Sequence, residues 1–172
     1  MPVGLGLPVR ATSSSRMELA SMRWIFSTTG TFWQVPLRLC LAYVFWMHGA
    51  QKVLGMYHGP GLHGFVGYLA GSGVPASLAY LAAFSEFLGA FGMLFGFLTR
   101  IAALGLMANM AYATVAVHAK WGFFMNWGGD PTRGHGYEYP MTLFCMALAL
   151  FIGGGGNLSI DRMIAPKEKR PG

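Results

Sequence analysis

The stretch Arg38–Gly55, RLCLAYVFWMHGAQKVLG, decides how this chain is read. Its Leu, Val, Phe, Trp and Met suit hydrocarbon. Extended back to Gln34, the run matches the roughly 20 residues that cross a bilayer core of about 30 Å. Yet it holds Arg38, His48, Gln51 and Lys52. On a helix these four fall in an arc of about 140°, leaving the rest of the circumference apolar. A charge near mid-bilayer costs about 2.5–3.5 kcal/mol on insertion scales, so such groups turn toward protein or water. The arc predicts the inward face of a helix bundle, with Arg38 near one end and able to snorkel.

Composition carries the same message outward to the whole chain. Of 172 residues, 54% are hydrophobic and only 10% charged, and the mean hydropathy is +0.46. Soluble domains carry about a quarter charged residues, so the balance is that of an integral membrane protein. The net charge of +6 gathers at the two ends of the chain. That distribution predicts a lipid bilayer, with its anionic head groups, as partner and excludes nucleic acid. Cys40 and Cys145 sit singly in apolar runs, which predicts small buried hydrophobes rather than a redox pair.

Four apolar segments are expected, near residues 34–54, 78–98, 101–118 and 138–155. The second and third are parted by little more than Thr99-Arg100, which predicts a tight helical hairpin. Between the first two, GLHGFVGYLAGSG reads as a short interfacial or re-entrant helix, with Pro75 starting the next span. Residues 1–31 read as a basic disordered tail, 32–160 as the transmembrane domain and 161–172 as a second basic tail. The fold class is all-α: a membrane four-helix bundle, up-down-up-down. Arg10, Arg16, Arg23, Arg100, Arg162, Lys167, Lys169 and Arg170 share one side, which the positive-inside rule makes cytoplasmic, termini included.

Small residues mark the packing seams. Ala82, Ser85, Gly89, Gly92 and Gly96 lie within about 80° on the second helix, as do Ala102, Gly105, Asn109, Ala113 and Ala116 on the third. Such stripes let backbones approach where lipid supplies no hydrophobic drive, and Asn109 is placed to hydrogen-bond across them.

Depth along the helices brings polar groups to one level. Glu86 lies about 12 Å below the outer end of its helix, near His48, and is expected to pair with Lys52 or His48. His118 closes the third span, and Tyr137-Glu138-Tyr139 opens the fourth. The candidate set is His48, Lys52, Glu86 and Glu138 for chemistry. Arg38, Gln51, Asn109, His118, Tyr137 and Tyr139 complete the pocket. Two readings of this set stay open: a structural salt-bridge network, or a site that hydrogen-bonds a quinone head group or other small ligand and relays its protons. Haem on His48 and His118 is disfavoured, because their depths differ and no attachment motif is present. No metal is expected, since His58 and His63 are five apart with no matching acid.

The motifs in order are Arg38, HGAQK at His48–Lys52, and GPGLHGFVGYLAGSGVPA at Gly59–Ala76. SEFLGAFGMLFGFLTR at Ser85–Arg100, ANMAYA, GYEYP and GGGGNLSID at Gly153–Asp161 follow. Together they resemble the DoxX family of small bacterial membrane proteins over about residues 34–165. The resemblance implies four transmembrane helices in the bacterial cytoplasmic membrane, with Arg38, His48, Lys52, Glu86, Arg100, Glu138 and Asp161 at motif positions. Relatives are associated with a thiosulfate:quinone oxidoreductase and with oxidoreductase complexes that manage thiol stress. The implied role is a membrane subunit of a quinone-linked system, alone or as a homo-oligomer beside soluble or membrane oxidoreductase subunits. The competing role is a scaffold that docks redox enzymes without catalysing anything.

Overall fold

The computed structural model describes residues 23–165, and its first long helix, α1, is Gln34–Leu54. Gly55 closes it in the left-handed conformation (φ 69°), where a side chain would be strained. Short helix α2, Gly61–Gly71, follows and packs on α1 and α3. Pro75 then starts α3, Ala76–Phe95, which ends at Gly96 with φ 62°. Three residues later α4 begins, Thr99–Tyr112, so the predicted hairpin is present. It runs on as a π-helix, Ala113–His118, and a 3-10 turn, Ala119–Trp121. After a loop come α5, Glu138–Gly153, and α6, Ile160–Ile164. The architecture is all-helical, with no strand among the described residues.

Residue numbers fall on one helix as they rise on its neighbour. Along α1 and α3, Gly49 faces Phe87 and Lys52 meets Glu86, while Arg38 lies against Gly96. Along α3 and α4, a Cβ on Gly92 would stand 2.9 Å from that of Ala102, and one on Gly105 would stand 3.2 Å from that of Ser85. The two small-residue stripes therefore face each other as their spacing predicted. Gly49 supplies a third close approach: a Cβ there would lie 2.7 Å from the Phe87 backbone, too near for any side chain. Leu41, Phe45, Met93, Leu106, Leu143 and Leu150 fill the interior between the helices. Trp46 bridges to Phe87 and Phe91 with ring centroids 5.8 and 5.5 Å away.

Among the described residues, two helices are long and apolar enough to cross a membrane by length and composition, Ala76–Phe95 and the composite Thr99–Trp121. The expectation was four. Helix α1 has the length, but its polar arc lowers its mean hydropathy. Helix α5 is apolar but has 16 residues, about 24 Å at 1.5 Å per residue. Outward faces of the helices are apolar nonetheless: Leu81 is 64% exposed, Leu88 61%, Val115 74% and Ile152 68%. So much apolar side chain on the outside is a contact surface, not a water-facing one.

The chain ends engage the helices more closely than their composition suggested. Residues 1–22 and 166–172 of the expected tails lie outside the described residues. Residues 23–31 touch the helices: the Trp24 ring sits 5.4 Å from that of Phe151 and 4.7 Å from the Arg100 guanidinium. Asp161, expected to open the C-terminal tail, is 1% exposed. Cys40 and Cys145 are free and exposed rather than buried, because the inward positions near them go to Leu41, Ala42, Leu143 and Ala147.

Candidate functional site

Helices α1, α3 and the end of α4 enclose a cavity of about 420 Å³, roofed by α2 and the loop before α5. Three of its polar groups come from the opening stretch and its neighbour. Lys52 Nζ donates to Glu86 Oε2 in an ion pair whose carboxylate is buried. His48, exposed on the cavity wall one turn before Lys52, stands beside this pair without bonding to it. Of the two partners foreseen for Glu86, the structure selects Lys52, whose longer stem reaches the carboxylate. The ammonium also lies 5.2 Å from the centre of the Phe65 ring on α2, a favourable cation–π distance.

Asn109 joins the second carboxylate oxygen to the seam. Its Nδ2 donates to the Ala82 carbonyl at 2.9 Å and to Ser85 Oγ at 2.9 Å, with Glu86 Oε1 at 3.4 Å. The residue is thus both an interhelical tie and part of the cavity wall. Both ends of the Glu86 carboxylate are thus engaged, one by Lys52 and the other by Asn109.

The π-helix at Ala113–His118 widens α4 where it borders the cavity. Such segments are rare and are frequent at functional sites. Here the widening brings Ala113, Val117 and His118 to the wall. No signal in the sequence announced it. Tyr139, Pro140 and Leu143 of α5 close the far side, and Met125 and His135 come from the loop. His135 was not foreseen, since a histidine in a glycine-rich loop carries no periodicity to place it.

Four predicted pocket residues lie elsewhere. Glu138 does not stand at the cavity entrance: its Oε1 accepts from the Met125 backbone N–H at 3.0 Å and Trp127 Nε1 at 3.1 Å. It turns back toward the loop, where these two N–H groups bind its carboxylate. Gln51 reaches the Tyr57 carbonyl at 3.4 Å, with Gly59 packed on its backbone. Tyr137 stacks edge-on with Phe123 at 5.5 Å. At the loop tip, hydrogen bonds from the Thr132 hydroxyl and N–H hold the Asp130 carboxyl below its usual range, with Arg133 assisting.

Arg38 is the largest departure. Rather than snorkelling, it is buried, 2% exposed, at the opposite end of α1. Its guanidinium donates to the Gly155 and Leu158 carbonyls at 2.8 and 3.0 Å. Arg100 mirrors it, donating to the Phe151 carbonyl and, at 3.2 Å, to that of Ser27. Between them Asp161 accepts from Leu98 N at 2.8 Å and Thr99 N at 2.9 Å, capping α4. Ser159 caps its own short helix as expected, accepting from Arg162 N at 3.2 Å. This end of the molecule is a structural clasp, remote from the cavity.

A family model described as DoxX matches residues 34–119, half of the chain, and the chain belongs to the DoxX family, whose members are membrane-associated. The matched span holds Arg38, His48, Lys52, Glu86 and Asn109, and stops short of Glu138 and Asp161. No curated protein and no solved structure matches the chain. Among the described residues no three His, Cys, Asp or Glu side chains gather as a metal-binding group.

Proposed function

We propose that the chain is a multi-pass protein of the bacterial cytoplasmic membrane that holds a quinone head group, oxidised or reduced, within a quinone-linked redox system. In this reading α1, α3, α4 and α5 form an up-down-up-down bundle crossing the membrane, with both termini cytoplasmic. The antiparallel contacts, apolar outer faces and terminal Lys and Arg residues support it. Helix α5 is short for a span, and local thinning accommodates it at modest cost.

The observation that carries the reading is the convergence of the Lys52–Glu86 pair, Asn109, His48 and His118 on one cavity with otherwise apolar walls. A network built only to fix helix register needs no space beside it. A cavity with a few placed polar groups is what small-ligand sites look like. Lys52 donates, the histidine ring nitrogens can donate or accept, and the aromatic walls suit a flat ring. The redox partner is a separate protein, because the thiosulfate- or thiol-related chemistry of DoxX relatives belongs to assemblies.

The test is titration of a short-chain benzoquinone and its hydroquinone into the purified protein in nanodiscs. Side-chain NMR signals of Lys52, His48 and His118 are followed. Saturable shifts are expected at all three. Absence of any saturable response to either form would overturn the reading.

A second reading, a docking scaffold for redox enzymes, draws support from an open apolar groove of about 370 Å³ between α1 and α3. Leu39, Tyr43, Trp46, Phe91 and Leu94 line it. Under that reading Glu86→Gln lowers recovery of a co-purified oxidoreductase, and neither quinone form binds.

A further inference from the structure

Two histidines at the loop-covered mouth of the cavity have their ring protons assigned by their neighbours. His118 Nδ1 lies 2.7 Å from the backbone carbonyl oxygen of His135. A carbonyl only accepts, so Nδ1 carries the proton and Nε2 of the neutral ring is a lone-pair acceptor. His135 is the reverse. The backbone N–H of Asn126 donates to its Nδ1 at 3.3 Å, so the neutral ring carries its proton on Nε2. Both residues line the cavity, and neither Nε2 has a hydrogen-bond partner among the described residues.

The loop that carries His135 is fixed in place. Asn126 Nδ2 donates to the Asp130 and Arg133 carbonyls, each at 2.7 Å, and Glu138 anchors the backbone at Met125. The opposite polarities of the two rings are therefore built in. His118 offers an acceptor and His135, tied to it through its own carbonyl, offers a donor.

We propose that this pair reads a hydroxyl group: His118 Nε2 accepts its proton in a hydrogen bond while His135 Nε2–H donates to the same oxygen. One hydroxyl completes both. A carbonyl or ether oxygen accepts from His135 and leaves the His118 lone pair without a partner. With Phe65 and Tyr68 on the neighbouring wall, the ligand is a hydroxyl-bearing aromatic ring, and the hydroquinone form is selected over the quinone. No covalent bond changes in this step. The inference rests on the cavity being a ligand site, and adds which form it prefers and which residue decides.

Three probes separate the possibilities: a short-chain hydroquinone, the matching benzoquinone and the hydroquinone dimethyl ether. Each is titrated anaerobically into the protein in nanodiscs. The hydroquinone is expected to bind about tenfold more tightly than the other two, the worth of one net hydrogen bond. His118→Phe removes that preference, and His118→Gln, whose amide oxygen still accepts, restores part of it. Equal binding of all three, or a preference that survives His118→Phe, overturns the hydroxyl clamp and leaves the quinone site standing. Binding of none overturns both. Nitrogen-15 spectra of the unsubstituted protein give an answer that needs no variant to fold: His118 is protonated on Nδ1 and His135 on Nε2. The opposite assignment at either ring overturns the proposal.

Discussion

Asp161→Ala lowers the stability of the folded chain by about 3–5 kcal/mol, the largest loss expected from any single polar substitution here. The residue is 1% exposed, and its two oxygens take the N–H groups of Leu98 and Thr99 at the start of α4. Removal leaves both donors without a partner in the interior, at about 1–3 kcal/mol each. It also strips the positive end of α4 of its counter-charge. Arg38 and Arg100, both buried, lose the carboxylate that lies within electrostatic range of each. Leu98 adds to the effect. It sits in the left-handed region at φ 48°, a conformation that persists only where surrounding bonds hold it.

Asp161→Asn separates these contributions. The amide keeps one acceptor but turns its NH₂ toward the other N–H and removes the charge, so it is expected to fall between wild type and alanine. Thermal unfolding in detergent measures both variants. A change within about 0.5 kcal/mol for Asp161→Ala, the range of ordinary surface substitutions, would show that the clasp does not hold the helix ends together.

The second large effect is at the cavity. Glu86→Ala leaves Lys52 Nζ without its anion and Asn109 without one acceptor, and is expected to cost about 3 kcal/mol. The lower end of the range for breaking a buried pair applies because the Lys52 side chain keeps 22% exposure. Replacing both partners together, Lys52→Met with Glu86→Leu, removes two desolvated charges at once. That double variant is expected to regain most of the lost stability, as apolar replacements of buried ion pairs often do. Binding of the quinone probes is lost in both. Stability restored without binding assigns the pair to the ligand. Stability lost equally in both variants, with binding intact, would assign it to register alone.

The helices were legible because their determinants are local. Apolar runs and Pro75 marked the helices, the Gly96 cap that ends α3 before residue 98 was missed, and the small-residue stripes on α3 and α4 meet as their 3.6-residue period requires. The Lys52–Glu86 pair was legible too, since depth along two neighbouring helices limits who can reach whom. Long-range partners were not. Arg38 finds carbonyls at Gly155 and Leu158, more than a hundred residues away, in a glycine-rich segment with no side chains to advertise them. Glu138 looked inward by its position at a helix start, yet loop N–H groups claimed it. His135 and the π-helix at Ala113–His118 carry no compositional mark at all, because a change in hydrogen-bond register leaves the residue types unaltered. The site is thus read well on its α1–α3 wall and poorly at its loop-covered mouth.

The central claim is that ionisable side chains of neighbouring helices face one another across a cavity that a ligand occupies. Solid-state NMR of the protein in lipid, with ¹⁵N on Lys52 Nζ and ¹³C on the Glu86 carboxyl, tests it most directly. A through-space coupling at hydrogen-bond range is expected, with both resonances shifting saturably as hydroquinone is added. No coupling between the two sites, or a coupling that the hydroquinone leaves untouched at saturation, would contradict the account.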